Sequence, residues 1–159
     1  MKSALITGAS RGIGYELARE VAKDGYNTVL VSRTKEDLLK VKRELEDDFG
    51  VKGKVITGDL SNPETPESIL EELTDTKFRI DLLINNAGRG QMGEFLLTDK
   101  DVDRELMQLN VHSVVTMTKL FLSRMVEREH GGIINVSSLA AFQPGPLSAL
   151  YYASKAFVQ

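Results

Sequence analysis

A tyrosine and a lysine near the end of the sequence have a spacing that suits proton transfer. Tyr151 and Lys155 are four residues apart, so on a helix they share one face. A phenol ordinarily titrates near pKa ~10, and an ammonium group about 4–6 Å away lowers that pKa because it favours the phenolate. A tyrosine held in this way exchanges a proton with a carbonyl oxygen near neutral pH. Tyr152 falls on another face and is interpreted as a packing residue.

A serine precedes this pair at a distance that allows a joint role. Ser138 lies 13 residues before Tyr151 and directly follows an apolar run that predicts a buried strand. Its hydroxyl could hold a substrate oxygen where negative charge develops. By itself, a tyrosine four residues before a lysine is common, and a packed tyrosine beside a surface lysine is the simpler interpretation. The catalytic interpretation therefore depends on other ligand-binding segments converging on the same place.

The segment TGASRGIG lies between the first apolar run and the first helical stretch. Gly8, Gly12 and Gly14 permit a sharp turn and a close approach of the backbone to a ligand. The helix that follows offers free N–H groups and a positive dipole end, which suit a pyrophosphate. The spacing is G-x-x-x-G-x-G instead of G-x-G-x-x-G, and a tight connection without a ligand is the alternative.

The exit of the second predicted strand indicates which dinucleotide would bind. An acidic residue about 20 residues past the glycines would accept hydrogen bonds from a ribose 2′-hydroxyl. Ser32 and Arg33 occupy that place, so no carboxylate repels a 2′-phosphate. Arg33 and Arg11 could each bind such a phosphate in bidentate fashion. This pattern favours NADP over NAD, and the alternative is that both arginines are solvated surface residues.

Two further strand exits carry polar residues. Asp59 could accept a hydrogen bond from an adenine amino group, or it could cap the loop before Pro63. In the segment NNAG, Asn85 and Asn86 could satisfy backbone groups at the strand end, while Gly88 permits a close approach to a cofactor. Neither segment is specific on its own.

The elements that position these residues alternate between strand and helix. Apolar runs at 3–8, 27–32, 53–60, 80–88 and 131–138 predict five strands, and helical patterns at 14–23, 34–45, 67–73, 98–127 and 149–159 separate or follow them. Gly25 is a predicted C-cap, Thr34 with Asp37 resembles a capping box, and Pro66 suits a first helical turn. The pattern predicts an α/β fold, a doubly wound parallel sheet of the Rossmann type, with the ligand beyond the carboxyl ends of the strands.

Composition narrows the class of protein. The 159 residues are 42% hydrophobic, carry a formal net charge of −3 and include no cysteine, which indicates one globular domain over 1–159 without a disulfide framework. The charge argues against nucleic-acid binding. No apolar run has the ~18 residues of a membrane span, and the start does not resemble a signal peptide, so the expected location is the cytoplasm.

No metal site is predicted. Asp99, Asp101 and Asp103 alternate as at the start of a calcium loop, but Arg104 and Asn110 stand where that loop needs glycine and glutamate. The simpler interpretation is that these acidic residues lie at a helix N-terminus, where negative charge interacts favourably with the helix dipole. The two histidines of the sequence, His112 and His130, have no partners at ligand spacing.

Taken in order, the segments TGASRGIG, NNAG, LNVHS, NVSS and YYASK resemble the short-chain dehydrogenase/reductase family over the whole chain. The resemblance implies that Tyr151 is the general acid/base, that Lys155 tunes it and binds the nicotinamide ribose, and that Ser138 orients the substrate carbonyl. It also implies that Asn110 anchors a water in a proton relay. Arg11 and Arg33 resemble the NADP-preferring branch of the family. The residues expected to contact the cofactor are Gly8, Ser10, Arg11, Gly12, Ile13, Gly14, Arg33, Asp59, Leu60, Asn86, Ala87, Gly88, Tyr151 and Lys155.

The resemblance implies an oxidoreductase that moves a hydride between NADP(H) and a carbonyl or secondary alcohol. It is strongest toward reductases of the acyl-carrier-protein-reductase and ketone-reductase kind, which usually form homodimers or homotetramers through the helix at 100–127 and the helix starting at Tyr151. Two alternatives stay open: a nucleotide-binding module without turnover, and a sugar-nucleotide epimerase or dehydratase, against which the glycine spacing argues. Since family members have about 200–250 residues, we expect this chain to be a truncated form whose fifth strand is an exposed sheet edge.

Overall fold

The computed structural model describes residues 2–159, and within that range it contains five strands and six α-helices. The strands are β1 (Ser3–Thr7), β2 (Asn27–Ser32), β3 (Gly53–Thr57), β4 (Ile80–Asn85) and β5 (Gly132–Asn135). The α-helices are α1 (Gly12–Lys23), α2 (Lys35–Phe49), α3 (Thr65–Thr74), α4 (Lys100–Met107), α5 (Ser113–Glu127) and α6 (Ala149–Val158). A π-helical turn at Gln108–His112 joins α4 to α5, and a 3₁₀ helix covers Leu139–Phe142.

All five strands are parallel, in the order β3-β2-β1-β4-β5. The chain builds outward from β1 through β2 to β3 and then returns to place β4 on the other side of β1. The strand order therefore reverses between β1 and β4, and a crevice opens beyond the carboxyl ends of these two strands. The predicted doubly wound Rossmann-type sheet is confirmed.

Alternate residues of the strands contribute side chains to two hydrophobic cores, one on each face of the sheet, because successive side chains of a strand point to opposite faces. On one face Leu5 and Leu83 pack with residues of α3 and α5 such as Ile69 and Phe121. On the other face Ala4, Ile6 and Ile84 pack with residues of α1 and α2 such as Ala18 and Leu38. This explains why the strands are continuous apolar runs instead of alternating ones.

The helix ends test the predicted caps. Gly25 lies just past α1 with φ 80° and donates its N–H to the Ala22 carbonyl, as a glycine after a helix does. Thr34 is the N-cap of α2 but makes no side-chain cap bond, so the predicted capping box with Asp37 is wrong. The motif favours glutamate or glutamine at that third position, and aspartate is one methylene shorter. Pro66 lies in the first turn of α3, as predicted.

The long helical stretch predicted over 98–127 is interrupted. Asp99 caps α4 by accepting the Asp101 N–H, which places the aspartates at a helix N-terminus as predicted. The interruption follows at Gln108–His112, where the backbone widens into a π turn before α5 begins. Turns of this kind occur frequently at functional sites because they redirect side chains and backbone carbonyls.

At the far end of the sheet, β5 pairs with β4 and forms the edge strand within the described residues. Ile134 of β5 is 44% exposed. The expectation that the fifth strand is an exposed edge is therefore confirmed for residues 2–159. In the same range, no helix has both the length and the apolar character that crossing a membrane requires.

Candidate active site

A cavity of about 770 Å³ lies beyond the carboxyl ends of the strands, where the exits of β1 and β4 diverge. Its walls come from the turn after β1, the ends of β2 and β3, the turn after β4 and helix α6. Every residue expected to contact the cofactor lines this cavity: Gly8, Ser10, Arg11, Gly12, Ile13, Gly14, Arg33, Asp59, Leu60, Asn86, Ala87, Gly88, Tyr151 and Lys155. The sheet thus brings together segments that are up to 147 residues apart, from Gly8 to Lys155.

The turn after β1 depends on its glycines. Gly8 and Gly12 adopt positive φ values of 68° and 58°. A Cβ atom on Gly14 would lie 2.2 Å from the Gly8 carbonyl oxygen, so only glycine fits at position 14, in the first turn of α1. Arg11, the N-cap residue, makes no side-chain cap bond, and the first turn of α1 carries no acidic residue. The helix therefore presents N–H groups and a positive dipole end to the cavity, which suits an anionic group.

At the exits of β2 and β3, an arginine and an aspartate face each other across the cavity wall. Arg33 Nη1 lies 3.9 Å from Asp59 Oδ2, and both side chains remain largely exposed. Asp59 Oδ1 accepts hydrogen bonds from the Ser61 N–H at 2.9 Å and the Ser61 hydroxyl at 2.7 Å. Burial opposes ionisation of Asp59, but these hydrogen bonds and the nearby arginines outweigh it and lower the pKa of Asp59. Asp59 thus caps its loop, as one interpretation predicts, and it also lines the cavity, while its hydrogen bond to an adenine amino group stays a prediction.

The turn after β4 is fixed to the end of β1 by side chains on both sides. The Thr7 hydroxyl accepts the N–H groups of Asn86 and Ala87, each at 3.0 Å. In return, Asn86 Nδ2 donates to the Thr7 carbonyl at 2.9 Å. Asn86 therefore satisfies strand-end backbone, as predicted. Asn85 does not: its Nδ2 donates to the side chains of Thr118 and Asn135, because it points away from the β1 side.

Lys155 is buried on α6 with its ammonium group at the cavity. Lys155 as a whole is 7% exposed, and its Nζ donates a hydrogen bond to the Val136 carbonyl at 2.9 Å. Burial lowers the pKa of Lys155, because a charged amine is poorly solvated there. A Cβ atom on Gly88 would lie 3.5 Å from Lys155 Nζ, so the glycine keeps the space in front of the ammonium open.

Tyr151 lines the same cavity one helical turn before Lys155, as the four-residue spacing predicts. Its ring lies against the chain after β4, since a Cβ atom on Gly90 would be 3.9 Å from Tyr151 Cδ2. Tyr152 packs its ring where a Cβ of Gly145 would lie and meets the Tyr151 ring edge-on, with the centroids 6.2 Å apart. The prediction that Tyr152 is a packing residue is confirmed.

Asn110 lies in the π turn and joins three segments around the cavity. Its Oδ1 accepts the Arg89 N–H at 3.0 Å, and its Nδ2 donates to the Arg89 carbonyl at 2.9 Å and to the Ser154 hydroxyl at 3.0 Å. Both amide hydrogens are thus used within the protein. The expected relay water at Asn110 stays a prediction, and only an acceptor atom of this residue is left to hold it.

Ser138 lies at the exit of β5, where it caps the 3₁₀ helix by accepting the Ala140 N–H at 3.1 Å. It is not among the cavity-lining residues, whereas its neighbour Ser137 is. The Ser137 hydroxyl donates to the Lys155 carbonyl at 2.8 Å and so ties β5 to α6. The role of Ser138 toward a substrate therefore stays a prediction.

Several residues of the site carried no sequence signal strong enough to single them out. Thr7, Arg89, Ser137 and Ser154 all hold backbone or side chains of the predicted residues in place. Thr7, Ser137 and Ser154 lie within the quoted motifs and Arg89 directly follows NNAG, so position in or beside a motif was the available signal. Among residues 2–159, no group of three or more His, Cys, Asp or Glu side chains is arranged to hold a metal ion.

Comparisons with known proteins agree with this geometry. A family model described as short chain dehydrogenase matches residues 2–159. Over 161 residues the chain is 39% identical to the very-long-chain 3-oxoacyl-CoA reductase-B of Danio rerio, covering 99% of this chain and 51% of that protein. Over 157 residues it is 41% identical to the human 17-beta-hydroxysteroid dehydrogenase type 3, covering 98% and 50%. The chain therefore spans about half the length of the curated relatives it matches.

Solved structures show the same fold. The short-chain dehydrogenase from Sphingobium yanoikuyae in complex with NADPH superposes with a TM-score of 0.92 and 34% identity, covering 99% of this chain and 61% of that one. The L-sorbose reductase from Gluconobacter frateurii with NADPH and L-sorbose gives a TM-score of 0.93 and 31% identity, covering 99% and 60%. Given the family match from residue 2 to residue 159, the chain belongs to the short-chain dehydrogenase family.

Proposed function

We propose that the protein binds NADP(H) and, as a member of this family, catalyses hydride transfer between the nicotinamide and a carbonyl or secondary alcohol. The observation that carries the proposal is that Tyr151 and Lys155 line the same cavity as the glycine turn. A dinucleotide in that cavity would have its phosphates at the turn and its far end beside these two side chains.

The residues of the cavity fit a dinucleotide at several points. Gly8 and Gly14 let the turn after β1 pack closely against its own backbone and against Asn86, and the uncapped N-terminus of α1 offers N–H groups to a pyrophosphate. Arg33 supports NADP over NAD, because its guanidinium is largely exposed at the cavity wall. At this strand exit the chain has an arginine instead of the carboxylate that would bind a ribose 2′-hydroxyl. The NADPH and NADP complexes among similar structures support the same preference.

Tyr151 is the proposed general acid and base. When bound, the nicotinamide supplies or accepts the hydride at the substrate carbon. In the reducing direction Tyr151 gives its phenolic proton to the carbonyl oxygen, and in the oxidising direction the phenolate takes the alcohol proton. Lys155, whose Nζ lies at the same cavity, is proposed to bind the nicotinamide ribose and to assist Tyr151. Ser138 is proposed to orient the substrate oxygen, and Asn110 to hold a relay water.

We also propose that the protein forms a homodimer or homotetramer through α5. Leu122 and Val126 lie one helical turn apart on α5 and are 45% and 65% exposed. An apolar stripe of this kind supports pairing of α5 between two copies in a homodimer or homotetramer. Light scattering of the purified protein measures this directly.

One pair of measurements tests the proposed function. NADPH binding is followed by titration of the protein, and carbonyl-dependent oxidation of NADPH is followed at its absorbance band on the same sample. We expect both binding and oxidation. Binding without oxidation across a broad carbonyl panel would favour the alternative, a nucleotide-binding module without turnover. Absence of binding would contradict the proposal itself.

A further inference from the structure

Arg89 lines the large cavity and connects three elements around it. Its backbone is bound by the side chain of Asn110 in the π turn, while its own side chain reaches α4. Arg89 Nη2 donates to the Val102 carbonyl at 3.0 Å and to Glu105 Oε2 at 3.1 Å. The residue that directly follows the turn after β4 is therefore held at its backbone by one element and at its guanidinium by another.

Helix α4 depends largely on polar contacts for its position. Leu106 is its buried side chain, whereas five of the six residues from Lys100 to Glu105 are exposed. Asp103 accepts from Gln91 Nε2 at 2.8 Å, and Arg89 makes the two contacts to the same half of the helix. Since burial of apolar area contributes little to holding this half of α4, its polar contacts to the chain after β4 matter more than usual.

The two acceptors that Arg89 finds on α4 differ in kind. The side chain of Arg89 is 35% exposed and that of Glu105 is 55% exposed, so the ion pair alone contributes little. The Val102 carbonyl belongs to the helix backbone and cannot rotate away. A planar guanidinium with several fixed donors can bind both acceptors at once, which sets its direction. Arg89 is therefore attached to the backbone of α4 as well as to a side chain.

Hydrogen bonds continue from the backbone of Arg89 to the proposed acid/base. Asn110 Oδ1 accepts the Arg89 N–H at 3.0 Å, and Asn110 Nδ2 donates to the Arg89 carbonyl at 2.9 Å. Asn110 Nδ2 also donates to the Ser154 hydroxyl at 3.0 Å, which in turn donates to the Tyr151 carbonyl at 2.7 Å. An unbroken series of contacts thus runs from Glu105 on α4 through Arg89 to the backbone of α6 at Tyr151.

We propose that Arg89 is a positioning residue: its side chain anchors this series on α4, so that Asn110, Ser154 and the helix that carries Tyr151 keep the geometry that turnover requires. Arg89 acts through these residues and not on the substrate. The inference rests on the proposed function, because it takes Tyr151 as the acid and base. Its physical basis is that a displacement of about 1 Å in a reacting group can lower the rate about 10²-fold.

Arg89→Met tests the anchor, because it removes both contacts to α4 and keeps the backbone. For reduction of a ketone by NADPH, we expect kcat to fall about 10-fold to 100-fold, while the Kd for NADPH changes only a few-fold. Arg89→Lys keeps a cation that can pair with Glu105 and should restore part of the lost kcat. A purely structural role would lower the thermal unfolding midpoint and leave kcat of the folded protein unchanged, which would overturn the inference.

Glu105→Gln separates anchoring from a direct contact between Arg89 and the cofactor. This variant removes the ion pair and leaves Arg89 in place, and we expect kcat to fall about two- to fivefold. In the Arg89→Met protein the same change should have no further effect, since the partner is already gone. If Arg89→Met weakened NADPH binding strongly and Glu105→Gln left kcat unchanged, Arg89 would act on the cofactor, and the inference would be wrong.

Arg104→Met is the matched control. Arg104 is also an arginine paired with an acidic residue of α4, since its Nη1 lies 2.7 Å from Asp101 Oδ1. That contact stays within α4 and does not reach the chain after β4. We therefore expect neither kcat nor the Kd for NADPH to change in this variant.

Hydrogen exchange separates failure of this inference from failure of the proposed function, because it needs no turnover. In the protein without cofactor, Arg89→Met should speed exchange of the α6 amides about fivefold, as expected when the support of about one hydrogen bond is lost, and should leave α1 unchanged. Arg104→Met should change neither helix. Faster exchange in α6 supports the anchor even if the unaltered protein reduces no ketone, in which case the proposed function has failed. Unchanged exchange in α6 overturns the inference.

Discussion

Asn110 and Ser154 are joined by a buried hydrogen bond of 3.0 Å between Asn110 Nδ2 and Ser154 Oγ. The bond connects the π turn at Gln108–His112 to α6, the helix that carries Tyr151 and Lys155. Ser154 is fully buried, and its hydroxyl also donates to the Tyr151 carbonyl at 2.7 Å. The position of the proposed acid/base thus depends on a contact between elements 44 residues apart.

Ser154→Ala tests this connection. The change leaves one amide hydrogen of Asn110 buried without its partner, so we expect the free energy of unfolding to fall by about 1–3 kcal/mol. Urea denaturation measures it. Ser123→Ala is the control, because that exposed hydroxyl bonds only the carbonyl of its own helix, and a change within about 0.5 kcal/mol is expected. Equal losses in the two variants would contradict the role given to Ser154.

Much of the site could be predicted because a parallel sheet brings all strand exits to one edge. Once the five apolar runs were recognised, Gly8, Arg33, Asp59 and Gly88 had to lie near one another, whatever their separation in sequence. The predicted cofactor contacts line one cavity for this reason. Strand period and turn chemistry were sufficient signals.

The remaining features depend on contacts that have no local pattern. The residues from Thr98 to Glu127 have unbroken helical periodicity, so nothing indicated the π turn that places Asn110. The Thr7 hydroxyl accepts the N–H of Asn86 in the turn after β4, although the two residues are 79 positions apart in the sequence. Leu147 adopts a left-handed φ where turn rules favour glycine or asparagine, so its conformation comes from the hydrogen bond between Leu147 and Gly93 and not from its residue type.

Tyr151→Phe removes the proposed acid/base while keeping the ring. A positioned general acid contributes about 10²–10⁴-fold, so kcat for ketone reduction should fall by that factor while the Kd for NADPH changes only a few-fold. Tyr152→Phe serves as the control: its ring packs against Gly145, and loss of its hydroxyl should leave both quantities unchanged. A fully active Tyr151→Phe protein would refute the assignment.

Arg33→Ala addresses the choice between the two dinucleotides. A charge-assisted hydrogen bond to a phosphate contributes about 1.5–3 kcal/mol, so the Kd for NADPH should rise about 10–150-fold while the Kd for NADH changes only a few-fold. Titrations with the two cofactors measure this. Arg104→Ala removes an exposed arginine that pairs with Asp101 and should affect neither. Equal losses for NADPH and NADH would mean that Arg33 does not contact the 2′-phosphate.

Gly14 and Gly12 should respond differently to alanine. A Cβ on Gly14 would lie 2.2 Å from the Gly8 carbonyl oxygen, so Gly14→Ala should lower the free energy of unfolding by about 3 kcal/mol or more and abolish NADPH binding. A Cβ on Gly12 would meet no atom within 4 Å, and its φ of 58° should cost only about 1–2 kcal/mol. Chemical denaturation compares them, and a larger loss for Gly12→Ala would be inconsistent with the turn described.

Lys155 should make stability depend on pH in a defined direction. Burial lowers the pKa of Lys155 in the folded protein below its ordinary value of 10.5. Between the lowered pKa and 10.5 the unfolded chain holds the proton and the folded protein does not, so the free energy of unfolding rises with pH, by at most about 1.4 kcal/mol per pH unit. Below the lowered pKa both states are protonated, and this dependence vanishes.

Lys155→Met isolates this contribution, because other groups titrate alike in the two proteins. The stability of the unaltered protein minus that of the variant should increase as pH rises from neutral toward 10.5, as measured by urea denaturation at successive pH values. Turnover should be lost in the variant at every pH, since methionine supplies no ammonium group at the cavity that Tyr151 lines. A stability difference that stays constant, or that shrinks as pH rises, would show that burial does not lower the pKa of Lys155.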